Sequence, residues 1–154
     1  MRRFMIVLAV LALAMLAVAP SVLSKGTAAN NFVAQLSGAN EVPPVATSAH
    51  GTAQFHVSKD GSTVSFKVVV NQPSSPVVAA HIHKAPAGSN GGVVVDLFGN
   101  ASKVTVNNNT TVFSGSLAVA DFPLFSFADT LAGLHYVNVH TTNNPGGEIR
   151  GQMS

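Results

Sequence analysis

From residue 31 onward the chain alternates apolar and polar side chains with a period of two, interrupted at short intervals by turn residues. Ala53, Phe55 and Val57 alternate with Thr52, Gln54 and His56, and Val64, Phe66, Val68 and Val70 resume the pattern after Lys59-Asp60-Gly61. Alternate residues of a strand share a face, so each run predicts a strand with one buried side, and the Asp-Gly between them predicts a hairpin. Further strands are predicted over 77–83, 93–98, 103–106, 111–119, 135–140 and 148–153. Between them lie Asn71-Gln72-Pro73, 86–92, Asn107-Asn108-Asn109 and 143–147, all rich in turn-forming residues. About eight short strands with no long helical period predict an all-β fold, a Greek-key β-sandwich or barrel. Residues 121–133 break the pattern, and their Phe122, Phe125, Phe127 and Leu131 suit a short helix or packed turn capped by Gly133.

The start of the chain follows another rule. Met1-Arg2-Arg3 precedes an uncharged apolar stretch over 4–19 and then Pro20-Ser21-Val22-Leu23-Ser24. A short basic start, an apolar stretch and a small-residue end predict a secretory signal peptide over 1–24, cleaved after Ser24 or Ala29. The apolar stretch falls short of the roughly 20 residues that span a bilayer core, and an uncleaved anchor is the alternative. Either outcome places a single domain over 30–154 outside the cytoplasm, secreted or periplasmic, with no membrane attachment once the signal is removed.

Composition sharpens this reading. The chain has 154 residues, enough for one core, and only 9% of them are charged. The formal charge of +2 comes from Arg2 and Arg3, so the chain after residue 24 is neutral, and nothing electrostatic predicts a nucleic-acid partner. With no cysteine there is no disulfide framework, thiol nucleophile or thiolate metal site. No Gly-x-Ser-x-Gly elbow is present, Gly88-Ser89-Asn90-Gly91-Gly92 lacks the Lys-Ser/Thr of a phosphate loop, and the acids are too scattered to nominate a glycosidase pair. Asn100, Asn108 and Asn109 head glycosylation sequons, which carry meaning only in a eukaryotic secretory pathway.

Six histidines stand out against so few ionisable groups. In Ala80-His81-Ile82-His83 the apolar pair takes one face of a strand and His81 and His83 the other, a bidentate metal platform. In Tyr136-Val137-Asn138-Val139-His140 the valines read as core, and His140 faces the opposite side with Tyr136 and Asn138. If these strands are neighbours, His81, His83 and His140 form a three-nitrogen cluster on the outside of the barrel, suited to copper or zinc. Strand histidines also bond loop carbonyls and hold nothing, here from the Glu41-Val42-Pro43-Pro44 and 143–147 loops, so the residues leave both roles open. His50 and His56 read as surface residues and His135 as a buried, hydrogen-bonded one.

Several segments occur together and in order: Leu36-Ser37-Gly38-Ala39-Asn40-Glu41-Val42-Pro43-Pro44, Gly51-Thr52-Ala53, Ala80-His81-Ile82-His83, Ala87-Gly88 and Asn90-Gly91. They are followed by Gly133, Tyr136-Val137-Asn138-Val139-His140-Thr141 and Pro145-Gly146-Gly147-Glu148-Ile149-Arg150-Gly151-Gln152. This set resembles the CHRD domain, named after chordin and also found as stand-alone secreted bacterial proteins, over about 31–153. Lys84-Ala85-Pro86 departs from the family, which runs from the histidines more directly into a glycine.

The resemblance implies an immunoglobulin-like β-barrel with limited similarity to copper/zinc superoxide dismutases, and it implies no established activity. His81-Ile82-His83 resembles the dismutase copper-binding His-x-His, and Val139-His140 resembles the strand-end histidine of that site. No histidine stands in 88–96, where bridging and zinc ligands would fall, and the disulfide is absent. Arg150 lies within a strand pattern and is not equated with the dismutase's substrate-guiding arginine. Two readings follow. One is a non-enzymatic extracytoplasmic binding or structural module, monomeric or weakly associating through an edge strand, whose ligand the sequence does not name. The other is a copper-binding protein or dismutase-like copper enzyme.

Overall fold

The computed structural model describes residues 31–154; the expected signal segment, 1–24 with cleavage after 24 or 29, lies outside the described residues. The alternating runs become strands β1 (Asn31–Ser37), β2 (His50–Val57), β3 (Thr63–Asn71), β4 (Val77–Lys84) and β5 (Gly92–Asp96). They continue as β6 (Lys103–Asn107), β7 (Thr110–Ala118), β8 (His135–Thr141) and β9 (Ile149–Gln152). The fold is all-β, as the periodicity predicts, with nine strands among the described residues where about eight are expected. The additional strand is β1, whose Phe32, Ala34 and Leu36 are buried in alternation with exposed or half-buried neighbours.

All nine strands join one antiparallel sheet in the order β5-β4-β8-β9-β1-β2-β3-β7-β6, rather than the two stacked sheets of a sandwich. The sheet curls into a half-barrel. Its edge strands are joined by residues 97–102 alone, a link that reaches at most about 3.5 Å per residue, so β5 and β6 end close together. Within the link, Asp96 accepts from the Gly99 amide at 2.8 Å, and Phe98 packs edge-on against Phe113 of β7 at 5.2 Å.

The concave side is the core. Phe32, Phe55, Phe66, Val68, Ile82, Val95, Phe113, Val137, Val139 and Ile149 are buried there, so strands from both halves of the sheet share one interior. Each such side chain contributes about 1.5–3 kcal/mol through removal of apolar surface from water. The excursion over 119–133 closes one end as a 3-10 turn (Val119–Asp121) and helix α1 (Phe127–Leu131), with Phe122, Phe125 and Phe127 against the core. Ser126 caps α1 by accepting from the Asp129 amide, and Gly133, at φ +69, ends it as expected. The hairpin at Lys59-Asp60-Gly61 also forms, with Gly61 at φ +74 and the Asp60 carboxylate accepting from Ser58 and Ser62.

Candidate metal centre

Strand parity places Ala80 and Ile82 inside the half-barrel and His81 and His83 on its outer face. The β4–β8 register pairs His81 with Asn138, His83 with Tyr136 and Ala79 with His140. His140 is thus the diagonal neighbour of His81 across the ladder, a spacing at which long side chains meet. One ring nitrogen from each of His81, His83 and His140 lies within 4.8 Å of the other two, and this is the expected trio.

The outer face is not open to solvent at this point, which the alternation alone did not show. Tyr136, Asn138 and Arg150 project from it and are buried beneath the loop after β1, the loop over 86–91 and the loop over 142–147. The three histidines are half-buried. Glu41, from the first of these loops, accepts a hydrogen bond from Asn138 at 2.7 Å. Gly147 approaches the same pair so closely, at φ +128, that a Cβ there would overlap Asn138 and Glu41. The loop contacts expected of the histidines are met in part. His140 reaches the 143–147 loop, whereas His83 bonds Gly91 and the Glu41 loop bonds Asn138.

Hydrogen bonding fixes which nitrogen two of the rings present. His83 Nδ1 donates to the Gly91 carbonyl at 3.0 Å, and His140 Nδ1 donates to the Pro145 carbonyl at 2.9 Å. A carbonyl only accepts, so both protons sit on Nδ1 and both Nε2 atoms carry lone pairs. His140 Nε2 faces His81 Nδ1 at 3.0 Å. His83 Nε2 is buried and has no hydrogen-bond partner. Burial, reinforced by the neighbouring histidines, holds the pKa values of His83 and His140 below the usual histidine range. Both rings are therefore neutral at pH 7, the form that ligates metal.

Behind the trio lies a stack. The rings of His83 and Tyr136 are 4.9 Å apart and within 6° of parallel, and the Arg150 guanidinium lies 3.3 Å from the Tyr136 ring centre. Since β8 runs between β4 and β9, Tyr136 sits between His83 and Arg150. Arg150 also donates to Asn90 Oδ1 at 3.0 Å and to the Ser89 carbonyl at 2.6 Å. Burial pushes the Glu41 carboxyl up to about 7 against the opposing pull of Arg150. A cleft of about 420 Å³ between the two covering loops is lined by Glu41 and Arg150 but by none of the three histidines, so it flanks the centre.

The remaining expectations fall into place. His50 and His56 are exposed. His135 is fully buried, stacked on Phe125 at 5.1 Å, and its Nδ1 is hydrogen-bonded to Thr130 Oγ1 at 2.8 Å. Arg150 belongs to β9. Glu41, Asn90, Gly91, Tyr136 and Arg150 complete the surroundings of the trio; parity signalled Tyr136 and the loop expectation signalled Glu41, whereas Asn90, Gly91 and Arg150 were marked only by their place in the ordered segments.

A curled antiparallel sheet with a histidine cluster under loops on its outer face defines a small all-β domain with a candidate metal centre. The CHRD domain family model matches residues 32–153, and the chain belongs to that family. No curated protein and no solved structure matches it.

Proposed function

We propose that this chain acts outside the cytoplasm as a non-enzymatic CHRD-domain module that holds a copper or zinc ion on His81, His83 and His140. The observation that carries this reading is the His83 Nε2 lone pair, buried without a partner on a ring whose centre lies 5.6 Å from that of His81 and 6.4 Å from that of His140. A buried acceptor left unmatched costs about 1–3 kcal/mol, and a metal ion removes that cost. The set also fits the metals. Three imidazoles suit copper or zinc, two of them are oriented by backbone carbonyls in the manner of ligating histidines, and at least one coordination position is left open. At metal–nitrogen bonds of about 2.0–2.1 Å, tetrahedral ligand atoms are about 3.4 Å apart, between the 3.0 Å that separates His81 Nδ1 from His140 Nε2 and the 4.8 Å that encloses all three nitrogens.

The basic and apolar start of the chain supports export to the periplasm or the medium, with cleavage after residue 24 or 29. The neutral remainder supports a module that binds neither nucleic acid nor anionic lipid and stays monomeric or weakly associated. Isothermal titration of metal-free protein with copper(II) and zinc(II), in wild type and in His83→Ala, tests the centre. Micromolar or tighter binding that the substitution abolishes is expected, and no binding by wild type overturns the reading. The open coordination position favours a second reading, a dismutase-like copper enzyme on an immunoglobulin-like Greek-key barrel. Superoxide consumption by the copper-loaded protein, lost in His83→Ala, would favour it.

A further inference from the structure

The loop over 86–91 does more than cover the histidines. Residues 86–90 are exposed, and hydrogen bonds hold the loop in place. The Asn90 side chain uses both of its ends: Nδ2 donates to the Val42 carbonyl at 2.8 Å, and Oδ1 accepts from Arg150 at 3.0 Å. Arg150 is itself buried and takes the Ser89 carbonyl at 2.6 Å, so residues 89 and 90 are tied both to β9 and to the loop after β1. The next residue is Gly91. Its carbonyl accepts from His83 Nδ1 at 3.0 Å, and its amide donates to the Tyr136 hydroxyl at 3.1 Å. One residue thus fixes both rings of a stacked pair. A Cβ at Gly91 would overlap the Lys84 carbonyl, so this close approach requires glycine.

We propose that Asn90 and Gly91 are positioning residues of the histidine centre: the Gly91 peptide selects the nitrogen that His83 presents, and the Asn90 amide holds the Gly91 peptide in place. The proposal deepens the metal-centre reading and, in its affinity arm, rests on it. A neutral imidazole carries one proton, and the carbonyl at Nδ1 confines that proton there. When the loop loosens, the proton is free to occupy Nε2, and the buried nitrogen that has no partner then carries a donor rather than a lone pair. His140 serves as an internal reference, because its Nδ1 is held by Pro145 on a different loop.

The test compares metal-free wild type, Gly91→Ala, Asn90→Ala and Asn90→Asp by two-bond proton–nitrogen correlation spectra, which report the protonated nitrogen of each histidine. Copper(II) titration is run on the same samples. Wild type is expected to show His83 protonated at Nδ1 only. Gly91→Ala and Asn90→Ala are expected to mix the two tautomers of His83, leave His140 unchanged and lower copper affinity about tenfold or more. Asn90→Asp, which keeps the acceptor for Arg150, is expected to restore most of the wild-type tautomer and affinity. Asn90 is exposed, so its variants fold even if Gly91→Ala does not. A single Nδ1 tautomer and undiminished affinity in folded Asn90→Ala would overturn the proposal. Absence of copper binding by wild type would instead overturn the metal reading, and the tautomer spectra would still decide the role of the loop.

Discussion

Asn138 donates to Glu41 at 2.7 Å with both side chains buried, tying the loop after β1 to β8 two residues from a histidine of the trio. Removing the amide leaves a buried carboxyl without its donor, a loss of about 1–3 kcal/mol. Asn138→Ala is therefore expected to lower the urea midpoint by that equivalent. An unchanged midpoint would mean that the contact adds nothing to stability.

Glu41 also sets a pH dependence. Its carboxyl titrates near 4.5 when unfolded and at about 7 in the folded protein, because burial opposes ionisation. A raised folded pKa means the native state retains a proton that the unfolded state has lost. The associated stability is present below about pH 4.5 and is lost as pH rises to 7, by about 2–3 kcal/mol. Glu41→Gln should flatten that alkaline loss, giving a variant whose denaturation midpoint, compared with wild type, gains between pH 5 and pH 8. Parallel curves for the two proteins would contradict the assignment.

On the acid side the histidines act in the opposite sense. Burial lowers the folded pKa of His83, His135 and His140. Their stability is fully present above the unfolded value of 6.5 and is lost as pH falls below it, since the unfolded chain then binds protons that the folded one refuses. His135→Leu fills the same buried space without a titrating group, while Thr130 keeps its bond to the Ser126 carbonyl. In metal-free protein the acid-side fall in melting temperature should be smaller in this variant than in wild type.

Glu148 is buried and clamps two loops, accepting from the Thr47 hydroxyl at 2.6 Å and from the Ser74 amide at 3.0 Å. These bonds outweigh burial and hold its pKa below the ordinary carboxylate value. Its contribution is present above pH 4.5 and is lost as pH falls through the lower, folded value. Glu148→Ala should cost about 2–4 kcal/mol at neutral pH by stranding the donors. Proteolysis near residues 47 and 74 should accelerate with it.

The faces of β4 can be checked by a pair of substitutions. Ile82 is 1% exposed and points into the core, so Ile82→Asp buries an unpaired charge and should unfold the domain. His81→Gln on the opposite face should cost less than about 1 kcal/mol in metal-free protein. Circular dichroism and urea titration distinguish the two, and the reverse ranking would invert the faces.

How far the sequence led can be followed residue by residue. The two-residue period separated Ile82 from His81 and His83, and Val137 from His140, because parity is a local property of a strand. It did not show that β4 and β8 are neighbours, since pairing is decided by contacts across some sixty positions of chain. The loops over the centre were further out of reach. Glu41 and Asn138 are 97 residues apart, and Asn90 and Arg150 are 60 apart. For the same reason Tyr136 and Asn138 looked like outward residues of an open face and proved buried. The alternation of β1 is as clean as that of β2, but the sequence reading gave it no bounds of its own.

The position of β9 bears on when this fold becomes able to exist. Residues 149–152 lie between β8 and β1 at the middle of the ladder. Without them the sheet is two fragments, β5-β4-β8 and β1-β2-β3-β7-β6, with no hydrogen-bonded seam between them. A chain emerging from the ribosome can form hairpins early. It cannot join its halves, or bring Arg150 under Tyr136, until those four residues arrive. Such late, long-range closure is slow, and the half-barrel with its histidine centre is complete only once β9 has docked between β8 and β1.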